Sequence, residues 1–111
     1  MMEYSNLLWA WATSDRADRD VFNVVGQAMI SSQEEFLTRN KGTPADVLEP
    51  QVWSNAMWAF ATAGMAEESE EMVSFLAHLL DAYPEFVANF KPQHISNTLW
   101  AVAKLLSNKA E

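Results

Sequence analysis

Large apolar side chains recur along this chain at helical spacing. Ile95, Leu99, Val102 and Leu106 fall at i, i+4, i+7 and i+11, one stripe along a helix. The same register 42 residues earlier gives Trp53, Met57, Phe60 and Gly64, and 49 residues before that Tyr4, Leu8, Trp11 and Asp15. These stripes are expected to face a core, with the second helix stopping at Gly64 and the first before Asp15. Between them, Val21, Val25, Ala28, Met29 and Phe36 share one side of a long segment, and Met72, Phe75, Leu76, Leu79 and Tyr83 keep helical spacing until Pro84. The pattern predicts five main helices, near residues 3–13, 18–38, 50–63, 67–82 and 92–107, and an all-α fold. The Pro-led connectors Thr43–Leu48 and Tyr83–Phe90 each have room for one further helical turn.

Three of the five predicted helices carry one motif. Tyr4-Ser-Asn-Leu-Leu-Trp-Ala-Trp-Ala12, Trp53-Ser-Asn-Ala-Met-Trp-Ala-Phe-Ala61 and Ile95-Ser-Asn-Thr-Leu-Trp-Ala-Val-Ala103 share Ser, Asn, Trp and two Ala at fixed offsets. Pro50-Gln51 and Pro92-Gln93 precede the second and third copies, and Pro suits the first position of a helix, where its missing N–H costs nothing. The unit is therefore a motif helix, a loop, a second helix and a Pro-led connector. The seven extra residues of the first unit belong near Asn40–Thr43. One helix pair cannot bury both its faces, so the pairs are expected to stack as an α-solenoid. The chain reads as one helical-repeat domain over residues 1–111, with units at about 1–48, 49–90 and a partial 91–111, an excerpt of a longer array.

Composition narrows the function classes. Half of the 111 residues are hydrophobic, with five Trp, six Phe and six Met, which excludes a disordered segment. The absence of cysteine removes disulfides, thiolate zinc sites and a thiol nucleophile together. Fifteen acidic against seven basic residues give a net charge of -8, which opposes non-specific attraction to a polyanion or an anionic membrane. No apolar stretch approaches the ~20 residues of a membrane span, and Met1–Ala12 has neither the basic start of a signal peptide nor an Arg- and Ser-rich leader. No phosphate loop, nucleophile elbow or zinc motif occurs, so neither an enzyme nor a cofactor is expected. His78 and His94 have no matched ligands nearby in sequence, and Glu67–Glu71 reads as a solvated helix start, so no metal site is expected.

The pattern Pro-Gln-x-x-Ser-Asn-x-x-Trp-Ala-x-Ala, clearest in Pro92–Ala103, resembles the octotricopeptide repeats of algal organelle proteins and the helical repeats found upstream of RAP domains. It is also similar to repeats of Fas-activated kinase-like mitochondrial proteins and of the kinetoplastid RNA-editing substrate-binding complex. The resemblance implies a mitochondrial or chloroplast RNA-binding protein acting in the processing, stability, editing or translation of transcripts. Single-stranded RNA is then the expected partner, and the polar edge of the motif helices the place to seek its contacts. Gln93, Asn97 and Lys104 share one face of the third copy, and Gln51, Asn55 and Thr62 that of the second. Amide and hydroxyl groups there suit base edges of unpaired RNA, about one base per repeat.

Each feature also has a structural explanation. Ser and Asn, constant among the copies, suit a shared packing or hydrogen-bonding duty, leaving positions that differ, such as Thr62 and Lys104, to discriminate bases. Trp9, Trp58 and Trp100, each followed by a close-packing Ala, suit a widened core, with Trp58 buried between helix pairs. The alternative to RNA binding is a protein-interaction scaffold without RNA contact, since helical arrays present grooves to any ligand and -8 suits a basic protein. Basic residues gathered along one groove would favour RNA; scattered ones would favour the scaffold. On charge alone, RNA binding by this chain is expected to be weak and steeply salt-dependent.

Overall fold

The computed structural model describes residues 1–14 and 17–110, with only the backbone described at 45, 109 and 110. Among the described residues there are six α-helices and no strand: α1 (Met2–Ala12), α2 (Arg19–Arg39), α3 (Pro50–Thr62), α4 (Glu70–Ala82), α5 (Pro84–Ala88) and α6 (Pro92–Ala110). The first connector holds a 3-10 turn at Pro44–Asp46 and the second holds α5, each begun by its proline.

Local chemistry sets the helix ends. The Asp18 carboxylate accepts the Asp20 N–H at 2.8 Å, capping α2. Gly64 takes φ +72°, and the bonds Gly64 N–H to Ala61 O (3.2 Å) and Met65 N–H to Phe60 O (2.9 Å) close α3 in a Schellman turn. Residues 67–69 form turns, so α4 begins at Glu70, later than the acidic run suggests, with Glu70 and Glu71 in its first turn. Tyr83, held at φ -128° and ψ 89°, is displaced from helical geometry by Pro84, which ends α4.

The three motif helices lie in one row, with α3 between α1 and α6; α2 packs against α1 and α4, and α4 against α3 and α5. The body measures 41 × 24 × 21 Å. Ser54 and Ala61 on one side of α3, and Val52, Ala56 and Ala59 on the other, are buried, as is Ser5 of α1. The motif's small residues thus sit where neighbouring helices approach. On the α2/α4 side, Trp53, Met57 and Phe60 are fully buried. Phe22 of α2 meets Phe60 edge-on at 5.0 Å between centroids, and Phe75 of α4 lies 5.5 Å from the Trp53 ring. Gly26 allows α2 to approach: a Cβ there would lie 3.3 Å from Phe60 Cζ.

Two expectations about burial fail. The α6 stripe is open: Ile95, Leu99 and Leu106 are 45%, 66% and 59% exposed, and Val102 is half-buried. Phe22 of α2 and Phe75 of α4 cover the α3 stripe, whereas among the described residues the α6 stripe stays exposed. The motif tryptophans are also not core residues. Trp9 and Trp100 are about half exposed and Trp58 half-buried. Each lies five residues beyond the first stripe position, roughly 140° around the helix, which turns it away from the second helices. The fully buried tryptophan is Trp53.

Candidate nucleic-acid interface

Because the motif helices contact one another through Ser and Ala and meet α2 and α4 through the apolar stripe, one sector of each helix stays open. On α3 this sector holds Gln51, Asn55, Trp58 and Thr62, with Gln51 and Thr62 exposed and the other two half-buried. On α6 the same register holds Gln93, Asn97, Trp100 and Lys104, with all but Asn97 exposed. On α1 it holds Asn6, Trp9 and Thr13, all exposed. The six residues singled out from the sequence therefore occupy equivalent open positions on two neighbouring helices. The tryptophans, assigned to the core, belong to this sector as well. Their 140° offset from the stripe was the signal that could have placed them.

Aromatic rings link the row. Trp9 and Trp58 stack across α1 and α3, with centroids 6.3 Å apart and planes 23° from parallel. On α6 the Lys104 Nζ lies 5.1 Å from the Trp100 ring centroid, a cation-π contact at an exposed site. The side chains of Asn6, Asn55 and Asn97 make no hydrogen bond among the described residues, so their amides are not used up in holding backbone.

Charge divides between the rows. α1, α3 and α6 contain one acidic residue, Glu3, and two basic ones, Lys104 and Lys109. The rest of the chain carries the other fourteen acidic and five basic residues, so the motif row is close to neutral and the acidity belongs to the second helices and connectors. The basic residues do not gather in one groove, and on that criterion the scaffold reading gains over RNA. Arg39 pairs with Glu35 on α2, Arg19 Nε lies 3.7 Å from Glu68 Oε1, and Lys41 and Lys91 are exposed in connectors. Arg16 falls outside the described residues.

Both histidines sit against local neighbours. His94 Nδ1 accepts the Lys91 N–H at 3.2 Å, covering a free donor at the start of α6, and His78 sits exposed beside Phe75. Among the described residues no three His, Cys, Asp or Glu side chains are grouped to hold a metal ion, and no helix is long and apolar enough to cross a membrane. No protein-family profile, characterised protein or solved structure matches this chain.

Proposed function

We propose that the chain is part of an α-solenoid that binds single-stranded RNA along the open sector of its motif helices. In keeping with the repeats it resembles, it would serve transcript processing, stability, editing or translation in a mitochondrion or chloroplast. One observation carries the reading. Tryptophans, half-exposed on α1 and α6 and half-buried on α3 between them, and unengaged amides recur at the same register, in a row nearly free of carboxylates. Bases stack on such rings for about 1–3 kcal/mol each, and Gln51, Asn55, Gln93 and Asn97 stand beside them with donors and acceptors for base edges.

On this reading stacking, more than charge, supplies the affinity, in place of the steep salt dependence expected from the sequence. Lys104 is the one cation described in the sector, so the salt dependence falls near a single neutralised phosphate, a log-log slope of about -0.7 for a single strand. Fluorescence titration of short labelled RNA at low and physiological salt tests this. Trp100→Ala and Trp9→Ala are expected to weaken binding roughly 5- to 100-fold, as loss of one stacked base implies, with helix content unchanged by circular dichroism. Binding that ignores both substitutions sinks the proposal. The scaffold reading has its own support in the scattered basic residues and in the acidic second helices, where a recess of about 440 Å³ is lined by Ile30, Glu70, Glu71, Ser74 and Phe75. Capture of a basic peptide there, with no RNA bound at low salt, would favour it.

A further inference from the structure

The exposed stripe of α6 departs from its own template. Ile95, Leu99 and Val102 hold the register of Trp53, Met57 and Phe60 on α3, all three of which are fully buried. On α3 that stripe is covered from two directions, by Phe22 of α2 and by Phe75 of α4. On α6 only one direction is covered. Leu105 is 3% exposed, and a recess of about 260 Å³ between α4 and α6 is lined by Val73 and Ser74 on one wall and by Leu105 and Leu106 on the other. Beyond Leu106 the apolar surface continues over Leu99 and Ile95, which remain exposed.

We propose that this surface is the seat of one amphipathic helix with the pattern of α4, lying alongside α4 as α4 lies alongside α2. Two arguments select that occupant. The surface continues the existing contact of α4 with the motif row, so a helix laid there repeats a packing the chain already uses once. Its size fits a single helix: the exposed parts of Ile95, Leu99 and Leu106 amount to roughly 300 Å², enough to mark an interaction site. That is well short of the ~800 Å² per partner that a stable pair of protein copies buries. The partner's chemistry follows from α4, where Met72, Leu76 and Leu79 are buried on one side and Glu70 and Glu71 stand exposed in the first turn. The surface lies on the α2/α4 side, away from the Trp-bearing sector, so the inference rests on the repeat and not on RNA binding.

The probe is a synthetic peptide with the sequence of residues 67–83, titrated into the full chain and followed by anisotropy and by the gain in helical circular dichroism. Saturable one-to-one binding is expected, reduced at least tenfold by Leu99→Asp and unchanged by Trp100→Ala. Leu99 is 66% exposed, so its replacement leaves the fold intact. A second arm joins the same segment to the C-terminus through a flexible linker, which raises its effective concentration to about the millimolar range. A rise in melting temperature is expected there, absent in the Leu99→Asp background. No saturation in the first arm with no rise in the second overturns the proposal, and so does binding indifferent to Leu99→Asp. Concentration-dependent dimerisation of the chain alone, abolished by Leu99→Asp, would assign the surface to a second copy and overturn it too.

Discussion

Gln33 of α2 is 1% exposed in the middle of the core and joins three parts of the chain. Trp53 Nε1 donates to its Oε1 at 3.1 Å, and its Nε2 donates to the Val47 carbonyl at 3.0 Å, tying α2 to α3 and to the first connector. Gln33→Met keeps the volume and removes both polar atoms. The indole N–H and the Val47 carbonyl then lose their partners, at about 1–3 kcal/mol for each group left buried without one. The Met side chain recovers part of that through apolar burial, so the expected loss is about 2–4 kcal/mol, a large share of a small domain's stability. Trp53→Phe leaves Gln33 Oε1 without its donor and shrinks a fully buried ring, costing about 2–3 kcal/mol. In the double variant neither orphan of the Trp–Gln bond exists, so its cost falls short of the two singles together by about 1–2 kcal/mol. Urea unfolding with a constant slope measures all four proteins. A cost below ~0.5 kcal/mol for Gln33→Met, or strict additivity of the two substitutions, would refute the coupling.

The tryptophans should rank by position. Truncation to Ala is expected to cost about 3–5 kcal/mol at fully buried Trp53, less at half-buried Trp58 and about 1–2 kcal/mol at Trp100, all read by the same unfolding assay; equal costs at Trp53 and Trp100 would contradict the assigned faces. Gly64→Ala is expected to destabilise by about 1–2 kcal/mol, because φ +72° is left-handed backbone and nothing lies within 4 Å to account for the loss otherwise. A neutral or stabilising outcome there would mean that the α3 terminus is not closed by this turn.

Helix positions were legible because periodicity, Pro50, Pro92 and Gly64 are local signals, and the fold depends on them locally. Facing was less legible. A stripe of spaced apolar residues shows which side of a helix is able to be buried, whereas actual burial depends on a neighbour, and α3 and α6 share one pattern with opposite outcomes. Gln33 did carry a signal: it continues the spacing of Val25, Met29 and Phe36, a polar residue on an apolar face, which asks for a buried partner. The total charge of -8 concealed the more informative quantity, its division between rows, which needs the helices assigned before it can be read.

The motif's constant residues divide in the same way. Ser54 and the alanines of α3 are fixed by the close approach of α1 and α6, and their small size is explained by packing alone. Packing does not explain the Asn. In the central helix, which has neighbours on both sides, Asn55 remains half-buried, facing the open sector with its amide unengaged, and Asn6 and Asn97 repeat the arrangement. The two half-exposed tryptophans beside them are likewise larger and more apolar than an open helix edge requires. Packing therefore accounts for the Ser and Ala of the motif, and beyond the Trp9–Trp58 stack its Asn and Trp are the residues the proposed function gives a role. Under the proposed reading that role is ligand contact, since an unpaired nucleobase offers both a flat aromatic face and hydrogen-bonding edges.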